Sequence, residues 1–371
     1  LQIGSFFATM GIASLFMPAV MGIIADRWIP AQRLLGLCHL FAAGFITLAA
    51  TRTDYNSLYT LVLLSVMFYM PTIALSNSVA YNALEKAGLD TVTHFPPIRV
   101  WGTVGFICAM WVVDLGKMGL SATQLYFSAT LGLILGLYSF TLPNCPINRS
   151  GGGKSIVDLL GLRAFALFKQ RKMAIFFIFS MLLGMSLQIT NAFADGYIKS
   201  FGDTGIHGAK YLGTFGVEHS TILISLSQIS ETLCILLIPF FLKRFGIKRV
   251  MLIAMFAWVL RFALLGAGNP GPGVWMFILS MIVYGVAFDF FNISGSLFVE
   301  KETSAAIRSS AQGVFMIMTN GLGALIGSYL AGWVVNHYGW PLSWYLFAGF
   351  SLVVAIVFAV IFKYKHDPNR I

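Results

Sequence analysis

The sequence predicts an all-α polytopic membrane protein that crosses the bilayer eleven times as two helical bundles. Three observations carry that expectation: the composition, the recurrence of spanning-length apolar runs, and an internal repeat. Of the 371 residues, 58% are hydrophobic and 10% charged, whereas soluble domains hold roughly 45–50% apolar and 25% charged residues. The mean hydropathy of +0.82 places most of the chain in lipid.

A crossing helix takes about 20 mostly apolar residues. Runs of that kind begin near Ile3, Leu34, Leu58, Val100, Leu125, Ala174, Thr221, Val250, Gly273, Ser310 and Trp340, with short polar breaks between them. They leave no stretch for a soluble domain. Neither a basic n-region nor a small-residue cleavage motif precedes the first run, so no signal peptide is expected.

The formal net charge of +10 resides almost wholly in the loops, so it marks topology rather than a nucleic-acid surface. Alternate loops are rich and poor in positive charge. The richer set holds Arg27 and Arg33, then Lys86, then Arg149, Lys154, Arg163, Lys169, Arg171 and Lys172, then Lys243, Arg244, Lys248 and Arg249, then Lys301 and Arg308, and last Lys363, Lys365 and Arg370. The poorer set holds Arg52, Lys117 and Lys210. Basic loops face the cytoplasm, which puts the C-terminus inside and Leu1 outside.

The longest basic loop runs from Asn144 to Lys172. It contains the flexible Ser150-Gly151-Gly152-Gly153 and an amphipathic stretch, Ile156 to Phe168, suited to lying on a membrane surface. It divides the chain into an N-terminal bundle of five spans (1–143), a cytoplasmic linker (144–172) and a C-terminal bundle of six spans (173–371). The first bundle is one helix short, and a helix ahead of Leu1 is expected to have no counterpart in these residues.

The repeat supports a six-plus-six plan independently. Tyr69, Asn77 and Glu85 in the third span recur as Tyr284, Asn292 and Glu300 in the ninth, at the same steps of eight. Ile98-Arg99 with Phe106 matches Ile307-Arg308 with Phe315, and Asp26-Arg27-Trp28 to Arg33 loosely matches Lys243-Arg244-Phe245 to Arg249. The pairs keep one order and a near-constant offset, as in a duplicated unit repeated with the same topology.

Cys38, Cys108 and Cys234 lie in apolar runs and Cys145 in a basic loop, and none has metal-site spacing. Neither a disulfide nor zinc is expected. The histidines, His39, His94, His207, His219, His337 and His366, are scattered. No cofactor is expected.

Charged side chains at the bilayer centre cost about 2.5–3.5 kcal/mol or more, so those retained face a cavity, a partner or the bundle interior. On the sixth span Gln188, Asn191 and Asp195 share a face; on the seventh Ser225, Gln228 and Glu231 do. The ninth carries Tyr284 and Phe288 beside Asp289, Asn292 and Ser296. The fourth opens with Arg99, Thr103 and Phe106, and the third adds Thr72, Asn77 and Tyr81. Amides and carboxylates bond hydroxyls, and aromatic rings stack on a flat ring, so the pooled stripes suit a neutral, multiply hydroxylated ligand. For Asn77 or Ser225 alone the plainer reading is bonding between helices. For Glu231 and Asp289 it is function, either acid serving as the proton site. Arg261, central in the eighth span, is open between pairing with one of these acids and touching substrate.

Four segments carry a family resemblance: Phe95-Pro96-Pro97-Ile98-Arg99-Val100-Trp101-Gly102-Thr103, Leu187-Gln188-Ile189-Thr190-Asn191, Ser227-Gln228-Ile229-Ser230-Glu231, and the run from Tyr284 to Ser296. Together they resemble the bacterial nucleoside:proton symporters of the major facilitator superfamily, along essentially the whole chain. Gly22 through Asp26-Arg27 is similar to the superfamily's loop between second and third helices, with Pro30-Ala31-Gln32-Arg33 where Gly-Arg-Arg is usual. Leu1 to Ile24 resembles the family's second helix. The resemblance implies a major facilitator fold in the bacterial inner membrane, proton-coupled nucleoside uptake, and a working monomer. It implies substrate contacts from Arg99, Thr103, Phe106, Gln188, Asn191, Gln228, Glu231, Tyr284 and Phe288, with Asp289 important for transport. Uridine and adenosine are typical of the substrates expected.

The alternative is a proton-coupled sugar or other metabolite carrier of the same superfamily, since the stripes alone do not separate ribose from a hexose. An enzyme is disfavoured because no metal motif, Ser/His constellation or phosphate-binding glycine loop is present. A channel is disfavoured because the buried charges are single rather than ringed.

Overall fold

A computed structural model describes residues 2–89, 91–119, 121–145, 147, 162–207, 209–303 and 308–364. The described residues are almost entirely helical. The first five helices are α1 (Gln2–Arg27), α2 (Ala31–Ala50), α3 (Tyr55–Lys86), α4 (Thr91–Leu115) and α5 (Thr123–Ser139). Then come α6 (Arg171–Ser200), α7 (Ser220–Ala267), α8 (Val274–Glu302), α9 (Arg308–Met316), α10 (Ala324–Tyr338) and α11 (Trp340–Ile361). A π-helical segment, Ile317–Gly323, joins α9 to α10.

Among the described residues, eight helices are long and apolar enough to cross a membrane alone, with 311–338 counted as one. The eleven expected spans differ from that number for two physical reasons. At 48 residues, α7 would run about 72 Å at 1.5 Å per residue, more than twice the bilayer core of about 30 Å. It breaks at Gly246, whose φ of +76° reverses the chain where a side chain would be strained, so α7 is two crossings. The apolar part of α4 is only Val100–Leu115, and α5 has 17 residues. Of the amphipathic stretch, Leu162–Lys169 forms a 3-10 helix, and 156–161 lie outside the described residues, as does most of the linker.

The helix ends explain themselves locally. Asp54 caps α3 by accepting the Ser57 backbone N–H at 2.9 Å. Gly339, at φ +73°, turns the chain between α10 and α11, and Pro341 follows in the first turn of α11.

Two separate cores form. One packs Met17, Leu34, Leu35, Cys38, Leu75 and Val79 among α1, α2 and α3. The larger one is aromatic: the Phe176 ring lies 4.6 Å from that of Phe298, 5.4 Å from Phe315 and 6.3 Å from Phe291. Gln32 ties the start of α2 to the segment after α5, donating to Asn144 Oδ1 at 2.6 Å and accepting the Cys145 N–H at 2.9 Å. Lys86 adds a bond to the Asn144 carbonyl.

The two groups of helices meet along two seams. In one, α1 lies against the π segment and α10, where Gly4 faces Ser328 and Gly11 faces Gly321 and Leu325. In the other, α4 runs along α7: Trp111 Nε1 donates to Ser225 Oγ at 2.8 Å, and Asp114 Oδ2 lies 2.6 Å from His219 Nδ1. Both fall in the half of the molecule that carries Gly339, away from Gly246.

Candidate functional site

The helix registers decide which candidate residues share a level. On the α4–α7 seam, Asp114 pairs with His219 and Trp111 with Ser225. Extending this antiparallel register brings Phe106 level with Gln228 and Thr103 level with Glu231 and Thr232. Between α6 and α7, Asp195 Oδ1 accepts from Ser220 Oγ at 2.6 Å, which brings Asn191 and Gln188 down to the level of 224–228. On the other side of α7 the pairing is parallel: Ser227 Oγ contacts Met281 Sδ at 3.1 Å, and Ser230 Oγ donates to the Ile282 carbonyl. A Cβ on Gly285 would lie 2.6 Å from the Ser230 carbonyl oxygen, so only a glycine permits this approach. Tyr284, Phe288 and Asp289 are thereby set beside Glu231.

Tyr284 is the centre of an aromatic group. Its ring stacks on Phe288 (5.8 Å, 18°), meets Trp258 edge-on (6.1 Å, 88°), and lies beneath the Arg261 guanidinium, 4.7 Å from its centroid. Glu231 is half-buried and within electrostatic range of both Tyr284 and Asp289. Asp289 is 3% exposed, and its Oδ2 has no hydrogen-bond partner among the described residues. Gln188 Nε2 and Thr190 Oγ1 are buried and unpartnered in the same sense. Buried donors and acceptors left unmet in this way call for water or a polar ligand, and Gln188 and Asp289 lie on neighbouring helices of the candidate set.

The remaining candidates divide. Thr103 and Gln228 are half-buried, and Asn191 and Phe106 are exposed. Arg99 lies in α4, with its side chain outside the described residues. Three stripe residues are committed elsewhere, among them Ser296, whose Oγ donates to Gln312 Oε1 at 3.1 Å. Asp195 is held by Ser220, by Thr221 at 3.4 Å and by Lys199 at 2.7 Å, and Ser225 is taken by Trp111. Thr72 donates within its own helix, to the Tyr69 carbonyl. Arg261 pairs with no carboxylate among the described residues; it donates instead to the Ser280 carbonyl at 2.5 Å. Of the repeat-related tyrosines, Tyr284 is buried whereas Tyr69 is 46% exposed, so the two halves do not use this position alike.

A small cleft of about 30 Å³ opens beside Phe288, lined also by Leu187, Trp258, Asn292, Thr319 and Asn320. Thr319 and Asn320 belong to the π segment, and π turns in helices frequently sit at functional sites. The run Thr319-Asn320-Gly321-Leu322-Gly323, polar and small inside an apolar span, was the signal available in the sequence for them. Two larger cavities, of about 670 and 320 Å³, lie along α2 and α5, the smaller also against Ser65, Val66 and Tyr69 of α3, and hold none of the expected substrate-contact residues. The larger is lined mostly by apolar side chains and lacks the convergent polar groups of a recognition site. No group of three or more His, Cys, Asp or Glu among the described residues could hold a metal.

The sequence profile of the nucleoside H+ symporters matches residues 1–367. The chain belongs to the nucleoside H+ symporter family. Within that family it is similar to the nucleoside permease NupG of Escherichia coli, at 51% identity over 372 residues, covering 98% of this chain and 88% of the permease. It is also similar to the xanthosine permease of Escherichia coli, at 50% identity over 377 residues, covering 100% and 89%. The crystal structure of NupG superposes with a TM-score of 0.89 at 51% identity, covering 98% of this chain and 91% of that one. The symporter is therefore a multi-pass membrane transporter of the major facilitator fold.

Proposed function

We propose that this symporter takes up nucleosides such as uridine and adenosine together with protons, by alternating access across the bacterial inner membrane. The observation that carries this is that the registers of α6, α7 and α8 bring the amides Gln188, Asn191 and Gln228, the acid Glu231 and the Tyr284–Phe288 stack into neighbouring turns of adjacent helices. An amide can donate to one ribose hydroxyl and accept from another, Glu231 can accept from two, and the stacked rings offer a face to the base. Thr103 and Phe106 complete the site from α4, and Arg99 is retained as a further substrate contact on the resemblance alone. A hexose offers hydroxyls on every side and no aromatic face, which is why this site favours nucleosides over the sugar carrier.

Asp289 is the proton site in this reading. An ionised acid at bilayer depth is costly, and its near-complete burial within range of Glu231 lets protonation at one acid be sensed at the other and at the substrate. Over a full cycle one proton moves inward, which draws on the membrane potential at about 2.3 kcal/mol per 100 mV.

The chain works as a monomer of two bundles, 1–143 and 173–371, joined by the 144–172 linker; the two separate cores support that division. The excess of Lys and Arg at the Gly246 end supports a cytoplasmic position for that end and for the C-terminus. The seams then hold the outer side, and the arrangement is inward-facing.

The test is uptake of labelled uridine and adenosine into proteoliposomes, with and without an imposed proton gradient and with glucose as competitor. Saturable, gradient-driven uptake that glucose leaves untouched supports the proposal. Glucose inhibition with no nucleoside counterflow would move the sugar carrier to first place.

A further inference from the structure

Arg261 is a cation at bilayer depth with 1% exposure and no carboxylate partner among the described residues. Its Nη1 donates to the Ser280 carbonyl at 2.5 Å and approaches Met281 Sδ at 3.7 Å, while Ser280 Oγ donates back to the Arg261 carbonyl at 3.1 Å. This reciprocal clamp joins the second arm of α7 to α8. The guanidinium carbon lies 4.7 Å from the Tyr284 ring centroid, and Nε has no hydrogen-bond partner among the described residues. A guanidinium withheld from water is costly, and here a ring face and one carbonyl bear the charge.

Tyr284 is thus fixed from three directions. Arg261 faces its ring, Trp258 meets it at 88°, and Phe288 stacks on it at 18°. Trp258 and Phe288 both line the cleft beside the site, whereas Arg261 does not. Arg261 therefore acts on the cleft through Tyr284 rather than directly.

We propose that Arg261 is a positioning residue for substrate binding: held by Ser280, it sets the plane of Tyr284, and through the stack that of Phe288, against the base of the nucleoside. The proposal rests on the reading of Tyr284 and Phe288 as substrate contacts. A lysine retains the cation without the planar fork, whereas a methionine keeps much of the length and loses the charge.

The experiment measures uridine KM and kcat in proteoliposomes, and the melting temperature in detergent, for Arg261→Met, Arg261→Lys, Tyr284→Ala and the Arg261→Met/Tyr284→Ala double variant. The proposal expects Arg261→Met to raise KM about tenfold with kcat within about twofold, Arg261→Lys to recover most of that loss, and the double variant to be no worse than Tyr284→Ala alone. If Arg261→Met and Arg261→Lys lower melting temperature and kcat in parallel at unchanged KM, Arg261 is merely structural and the proposal fails. If Tyr284→Ala itself leaves KM unchanged, the substrate-contact reading fails and takes the proposal with it. A raised KM in Tyr284→Ala beside an unchanged KM in Arg261→Met overturns the proposal alone.

Discussion

Asp114 on α4 and His219 at the start of α7 face each other across the seam between the two bundles, Oδ2 to Nδ1 at 2.6 Å, with the aspartate side chain 3% exposed. One turn deeper, Trp111 binds Ser225. Any conformation that opens this end of the molecule has to separate both pairs. A hydrogen bond with one partner buried and the other about one-third exposed is worth roughly 1–2 kcal/mol. Asp114→Ala therefore favours opening. With the native cysteines replaced, Ser225→Cys is expected to react on the order of tenfold faster with an impermeant maleimide in the Asp114→Ala background than without it. Equal rates would mean that the pair does not hold the seam.

Asp289→Asn preserves shape and removes the carboxyl group proposed to carry the proton. Uphill uptake driven by a proton gradient is expected to fall to background, whereas uridine counterflow, which needs no net proton movement, persists within about fivefold of the parent. Gradient-driven uptake that survives in Asp289→Asn would transfer the proton to Glu231.

The tight helix crossings are sensitive to a single methyl group. Gly285→Ala would press a Cβ to 2.6 Å from the Ser230 carbonyl oxygen, and Gly184→Ala to 2.2 Å from that of Thr319. Overpacking of this kind costs about 1–3 kcal/mol, so both are expected to lower the melting temperature in detergent. Gly196→Ala, with nothing within 4 Å of the added carbon, serves as the control and should leave it unchanged or slightly raised.

At the exposed start of α3, the hydrogen bonds from Ser57, side chain first and then backbone, hold the Asp54 carboxyl below its usual 3.8. A lowered folded-state value means that the stabilisation is complete above 3.8 and is lost as pH falls through the folded value, below 3.8. The hydrogen-exchange protection factor in the first turn of α3, taken against the intrinsic rate at each pH, should fall over that acid range in the parent but not in Asp54→Ala, which already lacks the cap.

Much of this organisation is legible in the amino-acid order because lipid imposes two strict demands, apolar length and a reason for every buried charge. The two crossings within α7 are announced by Lys243-Arg244 and Lys248-Arg249 around Gly246, and the stripe of Gln228 and Glu231 by its spacing. Spacing could not say which polar groups are already satisfied. Asp195 and Ser225 fit their stripes as well as Gln188 does, yet across-helix partners 25 and 114 residues away occupy them. Arg261 was open between an acid and substrate because its partners, a main-chain carbonyl and a ring face, carry no charge pattern. The π segment is a related case: the polar, small run from Thr319 to Gly323 marks a weak point in the tenth span, but the composition of that run does not specify a wider turn or the cleft that Thr319 and Asn320 line.

The most direct test of the account is the pH of a weakly buffered suspension of unenergised proteoliposomes when uridine is added outside. Symport predicts a transient external alkalinisation that saturates with uridine, is abolished by a protonophore and is missing in Asp289→Asn. Saturable uridine entry with no pH change would contradict proton coupling through this site.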